Sequence, residues 1–108
     1  YMLAGEFEHK DSTGGEGRMT AGDVQWMKTG SGIIHSEMPA MKEGKLHGFQ
    51  LWINMPASLK MSKPEYHYID ANEMSVHHDE DKKIKVIAGK FENAEGPIKK
   101  HNVEKILF

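Results

Sequence analysis

Cysteine is missing from all 108 residues. Its absence removes disulfides, thiolate metal sites and a cysteine nucleophile together, so any metal ion here must be held by imidazole and carboxylate. It also fits a reducing compartment, and the expected location is cytoplasmic. No charge of either sign dominates: 14 Lys plus Arg stand against 16 Asp plus Glu, for a net charge of −2 and a pI near 6.4. With the signs interspersed, the chain lacks the basic stripe that direct nucleic-acid binding requires. No apolar run approaches the roughly 20 residues that cross a bilayer, and the expectation is a soluble chain without membrane contact. Helical periodicity, internal repeats and low-complexity tracts are absent too. At this length one hydrophobic core can form, and two complete ones cannot.

What is present is a series of short apolar or alternating runs separated by turn chemistry. Strands are expected at Tyr1–Leu3, Glu6–His9, Val24–Met27, Ile33–Met38 and Lys83–Ala88, with one or two more between Ile98 and Phe108. Asp11-Ser12-Thr13-Gly14-Gly15, Ala21-Gly22-Asp23 and Thr29-Gly30-Ser31-Gly32 read as the turns between them. Leu46–Met55, LHGFQLWINM, is the most apolar run, ends at Pro56, and is expected to be the core strand. Ala57–Asp81 reads as a connector, with a short helical turn near Ala71–Met74. Strands spaced at about 8 to 12 residues with glycine-rich turns predict an all-β fold, an antiparallel sandwich or barrel of jelly-roll type. The sequence opens inside an apolar strand-like run, and the expectation is a fragment of something longer, its barrel incomplete at the N-terminus.

The chemistry concentrates at Gly22–Pro39, GDVQWMKTGSGIIHSEMP. In a strand, side chains two residues apart leave the same face, so His35 and Glu37 can reach one ion. Alone, such a pair is ordinary polar decoration of a solvated strand. Its context raises its significance, because a Gly-x-Gly loop and two isoleucines deliver it to a loop-to-strand junction, where barrel sites are built. A His and carboxylate set suits non-haem Fe(II) best, with Mn, Ni, Cu or Zn open. Two ligands are too few by themselves.

AGDVQWMKTGSGIIHSEMP, then LHGFQLWINMP, then KMSKPEYHYI together resemble the pirin family of bicupins, and the resemblance runs over nearly the whole chain. YMLAGEFEHKDS resembles the strand pair before that family's Gly-Asp loop, and KVIAGKFENAEGP the entry to its second cupin domain. The resemblance implies a cupin-type jelly roll divided into residues 1–70 as part of the first barrel, 71–82 as linker and 83–108 as the first strands of a second cupin domain. It implies that His35 and Glu37 bind iron. It places the other two ligands in a His-x-His pair of an HPHxGFE-type motif ahead of the strand at Tyr1–Leu3, which the 108 residues do not contain.

The resemblance implies two classes of function. One is an Fe(II)-dependent dioxygenase of quercetin 2,3-dioxygenase type, taking a flavonol-like substrate, with Glu37 also serving as the base for its hydroxyl. The other is a non-catalytic, metal-responsive module that docks on a transcription-factor partner, with DNA contacted indirectly; such a protein would also be found in the nucleus. Self-association through exposed strand edges is a third expectation. Of the other histidines, His9 is expected to be exposed or hydrogen-bonded in a structural role. His47 is expected to be a satisfied core imidazole, and His77 and His78 to be solvated loop residues. Trp26 and Trp52 are assigned to the core, Gln25 and Gln50 to barrel packing or a substrate wall, and the eight methionines to gap filling.

Overall fold

Glycine and aspartate turns cut the chain into eleven short strands and one 3-10 turn over residues 1–98, the part that the computed structural model describes. No α-helix occurs among the described residues. The strands fall into two units, Tyr1–Tyr68 and the residues from Ile69 onward.

At the centre of the first unit is a three-stranded antiparallel sheet. Strand β2 (Phe7–Asp11) lies between β3 (Glu16–Met19) and β5 (His35–Pro39). Asp11 closes the β2–β3 hairpin: its amide donates to the Gly15 carbonyl at 2.9 Å, and its own carbonyl accepts from the Gly14 amide at 3.2 Å. Gly14 sits at φ 85°, a conformation that a side chain would oppose. Strand β1 (Met2–Ala4) pairs with β6 (His47–Gly48), and β4 (Val24–Lys28) with β7 (Glu65–Ile69). Met2, Met19 and Val24 are buried as the apolar core of this unit. Asp23 is buried beside them, its Oδ2 accepting from the Thr20 amide and hydroxyl and from the Tyr68 hydroxyl at 2.7, 3.0 and 3.0 Å. Those three donors satisfy a carboxylate that burial would otherwise make costly.

The second unit is built from a hairpin of β8 (Ser75–His78) and β9 (Lys83–Val86) and a small ribbon of β10 (Lys90–Phe91) and β11 (Ala94–Glu95). Ile69, Met74, Val86, Ala94 and Ile98 are buried. Its first turn is set by Asp70, whose Oδ1 accepts from the Asn72 amide at 2.8 Å and whose carbonyl accepts from the Glu73 amide at 3.0 Å.

Several expectations change. Leu46–Met55 is not the core strand: only His47–Gly48 is strand, and Phe49, Leu51 and Trp52 are 68, 65 and 85% exposed. The ladder with β1 carries a bulge and ends in the two bonds between Tyr1 and Phe49, and among the described residues no strand pairs with the apolar run beyond. Apolar content makes a strand only where a neighbouring strand supplies hydrogen bonds. For the same reason Trp52 is not core, and His47 is an exposed residue whose ring lies 6.1 Å from that of Phe49. Ala57–Asp81 is more than a connector, since it carries the 3-10 turn Ala57–Leu59, β7 and β8. His77 and His78 thus lie on a strand, His77 with its ring edge-on to Phe91 at 5.3 Å. The residues near Ala71–Met74 form a hydrogen-bonded turn, not a helix. The strands expected after Ile98 lie outside the described residues.

Candidate functional site

The antiparallel register of β2 and β5 places Glu37 opposite His9 and His35 opposite Asp11. Because both strands alternate with period two, these four side chains form one patch on one face of the sheet. His35 and Glu37 therefore leave the same face. The His9 and His35 ring centroids are 5.8 Å apart with planes inclined at 26°, and His9 Nδ1 lies 3.9 Å from Glu37 Oε1. Exposure rises across the patch. The His9 and Asp11 side chains are closed to solvent, that of Glu37 is 33% exposed, and His35 is exposed.

At the closed end Asp11 is saturated with donors. His9 Nε2 donates to Asp11 Oδ2 at 2.9 Å. Asp11 Oδ1 accepts from the Thr13 amide, the Thr13 hydroxyl and the Gly15 amide at 2.7, 2.6 and 3.1 Å. The Thr13 hydroxyl first, then His9 and the two amides, outweigh burial and hold the Asp11 carboxyl well below the usual carboxylate range. An ionised carboxylate only accepts, so the shared proton belongs to His9 Nε2. The Tyr66 ring of β7 stacks on His9 at 4.1 Å between centroids and 1° between planes. This ring fits because Gly17 is opposite His9: a Cβ on Gly17 would come within 2.8 Å of the Tyr66 hydroxyl. Burial, then the charges of Asp11, Glu37 and Tyr68, pushes the Tyr66 phenol up to about 12. From β4, the Gln25 side-chain amide donates to Glu37 Oε1 and fixes the carboxylate from the other side.

Imidazole and carboxylate two residues apart, with the carboxylate oriented by an amide, are the donor set of a divalent ion that prefers nitrogen and oxygen. They fit part of such a shell. No group of three or more His, Asp or Glu side chains among the described residues is arranged to hold a metal. Gln25 reaches the site, as one of its two sequence readings allowed. His9 is hydrogen-bonded as expected, yet fully buried and in the same patch. Sequence reading missed Asp11 and Tyr66 altogether. The signal for Asp11 was there, because His9-x-Asp11 repeats the period-two spacing of His35-x-Glu37, but Asp11 reads first as a turn residue.

Comparison with known proteins shows what this chain is similar to. Residues 1–53 match the sequence profile of the family described as Pirin. A pirin-like protein of Caulobacter vibrioides is 46% identical over the whole chain, which covers 40% of that protein. Pirin-1 of Arabidopsis thaliana is 43% identical over 91% of the chain, which covers 33% of it. The crystal structure of a quercetin 2,3-dioxygenase from Acinetobacter baumannii superposes with a TM-score of 0.79 at 38% identity, covering 91% of this chain and 36% of that one. The fold is thus the all-β cupin type predicted from sequence, although the strands close into no barrel among the described residues. The chain spans between a third and two fifths of the length of these relatives.

Proposed function

This chain belongs to the pirin family, and on that premise we propose that His35 and Glu37 are two ligands of a divalent metal, Fe(II) foremost, in a cupin site that positions a flavonol-like substrate for dioxygenation. The observation that carries the reading is the patch itself: two ligand-type side chains on one face, with the carboxylate held by Gln25 and faced by a buried imidazole. When bound, iron supplies a Lewis acid and a redox centre for flavonol and dioxygen. The side chains of this chain hold and orient. His35 and Glu37 would hold the ion, and Gln25 fixes the Glu37 carboxylate by donating to its Oε1. Glu37 can in addition take the proton of the substrate hydroxyl. The relatives are longer, and we propose that the remaining ligands come from a His-x-His pair elsewhere in the whole protein. We likewise propose that residues 83–108 begin a second cupin domain.

Anaerobic titration calorimetry with Fe(II) tests the ligand assignment. The 108-residue chain should bind weakly, and His35→Ala should abolish what binding there is. Iron binding unchanged in that variant would move the site elsewhere. A second reading, a non-catalytic, metal-responsive protein-binding module, is supported by the exposed apolar side chains at Phe49, Leu51 and Trp52. Quercetin turnover that depends on iron in the whole protein favours the enzyme; partner capture without turnover favours the module.

A further inference from the structure

Among the described residues β3 is one edge of the central sheet, which runs β3-β2-β5. The bonds at the ends of β2 show which way the backbones beside it point. The Asp11 amide donates to Gly15 on the β3 side, whereas on the β5 side the Ser12 amide donates to Ile34 and the Glu6 carbonyl accepts from Ala40. Bonded and non-bonded pairs alternate in an antiparallel ladder. The odd residues of β2 therefore bond to β3, and Lys10 and Glu8 face Glu16 and Arg18 as non-bonded pairs. It follows that the N–H and C=O groups of Glu16 and Arg18 point outward along the edge. Both side chains are exposed, on the face opposite the patch of His9, Asp11, His35 and Glu37.

Charged side chains ordinarily keep an edge from pairing. Here they have opposite signs on either side of Gly17. An antiparallel copy centred on Gly17 sets Glu16 opposite Arg18 of the second copy and Arg18 opposite its Glu16, and each of these pairs exchanges both backbone bonds. The row then continues through β2, because Lys10, Glu16, Arg18 of the second copy and Glu8 of the second copy alternate in sign from strand to strand. Arg18 engages Glu6 through Nε, and its guanidinium carries further N–H donors for a second carboxylate. Sliding the copy two residues either way sets Glu16 against Glu16 or Arg18 against Arg18, which like charges oppose.

We propose that β3 is a self-recognition edge, through which two copies of this chain pair antiparallel about Gly17 into one sheet running β5-β2-β3-β3-β2-β5. The pairing needs no metal, and it leaves β5 of each copy at an outer end of the joined sheet. Exposed ion pairs add little strength, so the pair is transient: the charges set its register, and trapping and exchange detect it better than mass does.

Because the chain has no cysteine, Glu16→Cys and Arg18→Cys each carry a single thiol. Cα atoms of a bonded antiparallel pair are about 5.5 Å apart, within disulfide reach, whereas position 16 of one copy and position 16 of the other lie on a diagonal of about 7 to 8 Å, beyond it. An equal mixture of the two variants, oxidised with glutathione disulfide, should therefore give a cross-linked dimer at least about tenfold faster than either variant alone. Equal rates in all three samples overturn the proposal, since association through the exposed Phe49, Leu51 and Trp52 would join chains without this register. A mixture that gives no cross-link overturns it too. In the unsubstituted chain, amide hydrogen exchange at Glu16 and Arg18 should slow as the chain is concentrated. Exchange at His35 and Glu37, whose amides point outward along the opposite edge, should not. Slowing at His35 and Glu37 alone moves the pairing to β5, and slowing at neither edge removes it; each overturns the proposal. Arg18→Glu, which sets like charges opposite each other in both pairs, should lose the slowing at Glu16. Slowing that survives this substitution overturns the charge-set register.

Discussion

Asp11 accepts four hydrogen bonds at the end of a strand, and its effect on stability has a definite sign with pH. Its folded carboxyl ionises well below the unfolded value, so the stabilisation is complete above about pH 4 and drains away as pH falls through the folded value. Asp11→Asn should therefore be less stable near neutrality and lose less stability between about pH 7 and pH 3, as measured by urea denaturation at each pH. Parallel pH profiles for the two proteins would show that Asp11 contributes nothing through its charge. Tyr66 runs the other way. Its phenol is raised from 10.0 to about 12, so its contribution is complete below pH 10 and disappears as pH climbs through 12. Phenolate absorbance should show a phase near pH 12, and Tyr66→Phe should diminish that phase. At this scale His35 and Glu37 were legible because period two is a local property. Tyr66 was not, because its stacking on His9 joins positions 57 residues apart in sequence, which no spacing rule connects.

Among the elements, turns were the easiest to read and the apolar run the hardest. Thr29-Gly30-Ser31-Gly32 is a loop in the sequence and in the structure, and Gly30 shows why glycine is required. Its φ is 52°, and a Cβ there would lie 2.1 Å from the Ser62 carbonyl oxygen, which accepts from the Ser31 amide at 2.8 Å. Both obstacles are backbone, so no side chain can yield. Gly30→Ala should cost about 3 kcal/mol, the upper end of ordinary single substitutions, read as a lower urea midpoint at unchanged slope. A loss under about 0.5 kcal/mol, the size of a neutral surface change, would mean that the loop moves freely off Ser62. Since the same loop leads into β5, the cost should be accompanied by poorer metal binding. LHGFQLWINM misled for a physical reason. Composition reports how much apolar surface a segment has, whereas strand formation depends on a partner, and β1 pairs with only its first residues.

For the whole molecule, the absence of helical periodicity and the rhythm of turns gave the all-β class, and the GIIHSEMP region gave the family before any coordinates. The distribution of apolar surface was hidden, since burial depends on what packs where. Ile34, Phe49, Leu51, Trp52 and Met61 are all 65% or more exposed in the first unit. Side chains of this size each forfeit about 1.5 to 3 kcal/mol of burial when left in water, and exposed apolar side chains, when contiguous, drive association. The 108-residue chain in isolation should therefore show light scattering that rises with concentration, and Trp52→Glu should suppress it without changing the far-ultraviolet spectrum. The charge removes the driving force at the most exposed of the large aromatics while β2, β3 and β5 are untouched. Scattering that stays at the monomer value across concentration would show that these side chains find cover within one chain. Scattering that persists in Trp52→Glu but falls when strand edges are blocked would assign association to backbone pairing instead.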